Sequence, residues 1–139
     1  MGQLRSFKNP WHNRQYCLVP CNAFYEPCYE TGKAVRTRIS MASGQPFMIA
    51  GLWDRWHRDE EQFNSFTMLT IDADGHAVMG KMHKPGDEKR MPVILLEDNY
   101  ERWLNAVPEE AFRILQELPA NQMSAVSAPL PPRAKTVRQ

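Results

Sequence analysis

The hydrophobic positions change their period near residue 96. Before it, short aromatic and β-branched runs either alternate with polar residues or stand as unbroken blocks of strand length, bounded by Pro and Gly turns. Arg14–Pro20 and Asn22–Glu30 predict two strands. Lys33–Ser40, after the Thr31-Gly32 turn, predicts an outer strand returning beside the second as a hairpin. The block Phe47–Trp53 (FMIAGLW) predicts a buried strand, with Ser65–Ile71 (SFTMLTI) as its partner and the polar RWHRDEEQFN as their connection. Beyond the Asp74-Gly75 turn, Pro92–Leu96 predicts one more buried strand.

Past residue 96 the spacing becomes helical. Glu97–Asn105 carries Tyr100, Trp103 and Leu104 on one face, behind an acidic first turn supplied by Glu97 or Asp98. Pro108–Leu118 opens with proline at a helix start and places Phe112, Leu115 and Leu118 on one stripe. Residues 119–139 read as a Pro-rich basic tail, irregular or extended. No internal repeat is visible. The expectation is a single α+β domain over 1–139, mainly antiparallel β with two late helices.

Composition narrows the function classes without choosing one. Apolar residues make up 42% of the 139 and charged residues 24%, ordinary for a folded globular chain. The net charge of +1 announces no nucleic-acid partner by itself. Its distribution says more: Arg5, Lys8 and Arg14 near one end, and Arg133, Lys135 and Arg138 near the other, stand without neighbouring acids. Solvated ends or a phosphate-facing patch both fit. No apolar stretch is long enough for a membrane span, and the cytoplasm is the default expectation.

All three cysteines, Cys17, Cys21 and Cys28, fall in CLVPCNAFYEPC. On one extended strand Cys17 and Cys21 stand about 13 Å apart at about 3.3 Å per residue, too far to share a zinc ion bound at about 2.3 Å. Core thiols are the expected reading, ahead of a metal or nucleophilic site, and no metal or cofactor is expected. Glu26, set between Tyr25 and Pro27, is either an exposed carboxylate on an alternating strand or a half-buried one with raised proton affinity. His83 precedes the Pro85-Gly86 turn. Generic imidazole chemistry applies equally to His12, His57 and His76, so composition does not choose among them.

The order of RSFKNPW, CLVPCNAFYEP, PFMIAGLW, SFTMLTIDA, MHKPGDEKRMPVIL, YERWL and AVSAPL resembles the SRAP family, the SOS response-associated peptidases. The resemblance runs from about Ser6 to the tail. The family motifs read approximately C-[LV]-V-P-x-x-x-[FW]-[YF]-E and H-x-R-M-P-V-I-L. They put Glu26 on the catalytic glutamate and His83 on the catalytic histidine. Arg90 falls on an arginine that contacts DNA phosphate, with an ion pair to Asp87 or Glu88 as the alternative.

The chemistry the resemblance implies is capture of abasic sites in single-stranded DNA. An N-terminal cysteine, exposed when the initiator methionine is removed, condenses with the ring-opened aldehyde and closes a thiazolidine. The glutamate serves the amine and the methionine's removal, and the histidine handles protons at the sugar. The sequence departs from the pattern in four places. Position 2 is glycine, the upstream asparagine-bearing segment has no counterpart, six residues separate His83 from Arg90 where the family commonly has one, and Pro27 replaces a frequent tryptophan. The expectation is therefore a SRAP-like chain lacking the N-terminal segment, of a phage- or prophage-related subfamily, with impaired crosslinking. The alternatives are a non-catalytic single-stranded DNA binder using Arg5, Phe7, Lys8 and Arg90, and a poorly folding gene fragment.

Overall fold

The computed structural model describes residues 8–134. Three antiparallel sheets, whose strands interleave along the chain, and three short α-helices make up an α+β arrangement, as the periodicities predict. Helix α1 (Lys8–His12) leads into β1 (Tyr16–Cys21), β2 (Phe24–Cys28) and β3 (Val35–Met41). Then come β4 (Phe47–Arg58), β5 (Glu61–Met68), β6 (Thr70–Asp72), β7 (Arg90–Pro92) and β8 (Ile94–Leu95). Helices α2 (Tyr100–Asn105) and α3 (Pro108–Ile114) precede the last strand, β9 (Met123–Ser127).

Strand β4 is the hinge of the architecture. It pairs with β1, β5 and β8, and its first half is apolar on both sides because both faces are covered. On one face Ala50 and Leu52 join Tyr16, Trp11 from α1, Trp103 from α2 and Ala111 and Ile114 from α3. On the other, Phe47 and Ile49 join Ile39, Met79, Met82 and Met91 beneath the β2-β3-β9 sheet. Trp103 is fully buried and donates from Nε1 to the Cys17 carbonyl at 2.9 Å, which locks α2 to β1. Arg14 closes the same corner: its guanidinium donates to the carbonyls of Ala106 at 2.8 Å and Asn105 at 2.7 Å, at the C-terminal end of α2, where a cation is favoured.

Strands β1 and β4 are packed so closely that Gly51 has no room for a side chain. A Cβ there meets the Cys17 sulfur and the Thr67 carbonyl oxygen, each at 2.9 Å. Beyond Gly51 that face of the sheet loses its cover. Trp53 is only half-buried, while Phe66 and Met68 are 61% and 49% exposed. Trp53 and Phe66 border an open apolar groove of about 310 Å³ with Cys17, Val19 and Pro20.

Several elements differ from expectation for physical reasons. The polar RWHRDEEQFN is not a loose connection but the outer half of a hairpin: Arg58 pairs with Glu61, and Asp59 turns the chain at φ 57. A two-stranded ribbon with solvent on both faces needs no apolar alternation. Phe112, expected inside, is 65% exposed; Ala111 and Ile114 face the core instead, and α3 ends at Ile114 rather than Leu118. Leu104 is likewise exposed, leaving Trp103 to anchor α2. Within 119–139, Met123–Ser127 pairs with β3. The block Pro92–Leu96 splits between β7 and β8, which lie in different sheets. Among the described residues no helix is long and apolar enough to cross a membrane.

Candidate active site

Phe24, Glu26 and Cys28 share one face of β2, as every second residue of a strand must. Phe24 and Cys28 pack against the core beneath, so Glu26 brings a carboxylate to the margin of an apolar layer. Its cross-strand neighbour is Thr37 on β3, buried, with its hydroxyl already donated to the Val35 carbonyl at 2.9 Å. Burial therefore pushes the Glu26 carboxyl above its ordinary range, and the nearby His83 partly offsets that rise.

His83 reaches this carboxylate because residues 81–83 run antiparallel to the end of β2. The Tyr29 amide donates to the Lys81 carbonyl at 3.0 Å, Cys28 faces Met82, and the His83 amide donates to the Pro27 carbonyl at 2.8 Å. His83 adopts φ 66, a left-handed conformation unusual for a residue with a side chain. Its Nε2 lies 3.6 Å from Glu26 Oε2 and 3.3 Å from the Arg90 carbonyl oxygen. A proton on Nε2 is thus held by a carbonyl with a carboxylate close by. The side chains keep 27% and 25% of their exposure, so the pair is open to a ligand. An acid of raised proton affinity beside an imidazole can take a proton from one atom of a substrate and return one to another near neutral pH.

Around the pair, Lys89 extends back from the end of the loop, its ammonium donating to the His83 carbonyl at 2.7 Å and to that of Met82. Arg90, at the start of β7, donates to the Thr70 carbonyl at 2.8 Å and the Thr70 hydroxyl at 3.3 Å, and contacts Glu88 at 3.5 Å. A cavity of about 480 Å³ opens on the same side of β2, lined by Cys28, Thr37, Val78, Lys81, Met82 and Ser127.

The remaining candidates are dispersed. Lys8 begins α1, which packs on the helical side of the β1-β4-β5 sheet, away from Glu26. Arg5 and Phe7 lie outside the described residues. His76 is a core histidine: its Nδ1 accepts from the Val78 and Met79 amides at 3.2 and 3.0 Å, so the ring proton sits on Nε2 and is donated to the Leu118 carbonyl at 2.7 Å. His12 and His57 are exposed. The three cysteines are free thiols, and burial raises Cys17 and Cys21, which makes them poorer nucleophiles. No group of three His, Cys, Asp or Glu side chains among the described residues is arranged to hold a metal ion.

Residues 1–129 match the sequence profile of the family described as SOS response associated peptidase (SRAP). The chain belongs to the SRAP family. It is 30% identical over 129 residues to the abasic site processing protein YoqW of Bacillus subtilis (strain 168), covering 90% of this chain and 54% of that protein. It is 31% identical over 106 residues to the abasic site processing protein YobE of the same organism, covering 76% and 45%. Among solved structures, a Bordetella bronchiseptica protein superposes with a TM-score of 0.88 at 42% identity, over 93% of this chain and 62% of its own. The chain thus spans about half the length of these curated SRAP relatives. The α+β fold seen here is the one it shares with the Bordetella bronchiseptica structure over the matched region.

Proposed function

We propose that the chain acts on abasic sites in single-stranded DNA, with Glu26 and His83 as the reactive pair. The observation that carries this reading is their juxtaposition: a half-buried carboxylate of raised proton affinity 3.6 Å from an imidazole, both accessible, in a family whose relatives are named for abasic-site processing. An abasic sugar opens to an aldehyde, and an amine that adds to it must lose a proton from nitrogen. The carbinolamine must then gain one on oxygen before water departs and the imine forms. Glu26 suits the first transfer and His83 the second and the sugar hydroxyl. Arg90, held by Thr70 with part of its guanidinium exposed, suits a flanking phosphate.

The test is a denaturing gel of the protein with a fluorescent single-stranded oligonucleotide carrying one abasic site, with and without borohydride. The expected result is a shifted band in the borohydride lane that disappears in Glu26→Gln and in His83→Ala. A band of equal strength in both variants would remove the pair from the chemistry. No band in any lane, with salt-sensitive binding retained, would return the chain to the non-catalytic DNA-binding reading.

A further inference from the structure

We propose that Lys89 is a positioning residue for His83, a clasp by which the loop after the histidine holds that histidine against Glu26. Its bearing on activity rests on the function proposed above; its structural part does not.

The main chain on either side of the His83 Cα is held by different partners. On the amino side the His83 amide is fixed to the Pro27 carbonyl at 2.8 Å. His83 itself sits at φ 66; on its carboxyl side the chain turns through Gly86 at φ 91 and closes with the Asp87 amide on the Lys84 carbonyl at 3.0 Å. Nothing in residues 84–88 returns a hydrogen bond to His83. Lys89 does, because its own carbonyl is anchored by the Ala73 amide at 2.9 Å and its ammonium spans back to the His83 carbonyl at 2.7 Å and the Met82 carbonyl. Two carbonyls converging on one point need a single atom with several N–H bonds, which an ammonium supplies. The lysine is half-buried, so water competes poorly for those carbonyls. A left-handed residue persists only when its surroundings over-determine it. With the clasp gone, the Pro27 carbonyl still holds the His83 amide and the Arg90 carbonyl its Nε2, but the carbonyl side of His83 is released, and its relaxation tilts the ring. The charged groups around the ring are Glu26 on β2, Lys89 itself, and Arg90 with its partner Glu88.

A merely stabilising lysine and a positioning one are separated by the coupling between Glu26 and His83. The Glu26 carboxyl carbon is followed by NMR through the acid titration of the DNA-free protein, with Lys89 or Met at 89 and with His83 or Gln at 83. In the wild-type background His83→Gln is expected to move the Glu26 midpoint upward, because an imidazolium beside it is removed. In the Lys89→Met background the same substitution is expected to move it less than half as far, and Lys89→Arg is expected to restore the full shift. An undiminished shift in Lys89→Met would overturn the proposal, whatever that variant's melting temperature. If Lys89→Met does not fold, Lys89→Leu, which likewise removes every N–H donor to the two carbonyls, takes its place with the same criterion. The gel assay run alongside keeps the two readings apart. A coupling that depends on Lys89 in a protein forming no adduct supports the clasp and sinks the proposed activity, while adduct formation with a Lys89-independent coupling does the reverse.

Discussion

Nε2 of His83 stands 3.6 Å from Oε2 of Glu26 because the residues flanking each are hydrogen-bonded main chain to main chain. The spacing is therefore a property of two backbones in register as well as of two side chains. The carboxylate bears a cost for its place. Burial raises its proton affinity, so in the window from the ordinary carboxylate range up to the raised folded value, the folded chain binds more protons than the unfolded one. Stability then falls as pH rises through that window. Glu26→Gln, uncharged throughout, is expected to match or exceed the wild-type melting temperature above the window, with the gap closing as the solution is acidified, while adduct formation is lost. Thermal melts of both proteins between about pH 4 and 8 check the sign.

Trp103 is expected to be the most sensitive single core position. It is fully buried between β1 and the late helices and also satisfies the Cys17 carbonyl. Trp103→Ala should cost about 3–5 kcal/mol, and Trp103→Phe, which keeps a ring but strands the carbonyl, about 1–3 kcal/mol. Urea titrations read both as lower midpoints with little change of slope.

Arg90 has a duty in the fold and a proposed one toward DNA, and two readouts of one substitution tell them apart. Arg90→Gln removes the donors to Thr70, with an expected loss of about 1–3 kcal/mol in stability. If the guanidinium also meets a phosphate, the salt dependence of single-stranded DNA binding becomes shallower by about 0.7 in the log–log slope. Fluorescence anisotropy at several salt concentrations measures it, and an unchanged slope would confine Arg90 to the fold.

Phe66, which lines the groove, and the exposed Met68 give the edge strand β5 an apolar face. Such an edge favours association of copies. The pair Phe66→Ser and Met68→Ser is expected to reduce light scattering at high protein concentration while leaving the melting temperature within a few degrees, since neither side chain is buried.

Much of this organisation was legible in residue order, and the limits of that legibility are physical. The β2–β3 hairpin and the apolar first half of β4 are set by turn chemistry and by burial on both faces, which are local signals. The outer half of β4 was hidden because a solvated ribbon has no apolar period, and α1 because five residues are too few to show one. Phe112 misled because helical spacing identifies a face without saying which face meets the core. For the site, the residues alone left four histidines equivalent; the family resemblance singled out His83, and the fold then placed His76 in the core and His83 beside Glu26. Lys89 carried no signal at all. In sequence it is one cation in a charged loop, and its reach depends on Ala73 anchoring the strand that follows.

Gly51 leaves this chain little freedom to drift. Any side chain at that position collides with two atoms at once, the Cys17 sulfur and the Thr67 carbonyl oxygen. A smaller residue at 17 relieves the first collision and leaves the second, because a carbonyl belongs to the backbone and no substitution removes it. No single second-site change can rescue a replacement at 51. A lineage carrying this strand pairing can cross that barrier only by shifting β5 as a whole, so the alphabet at position 51 is one letter long.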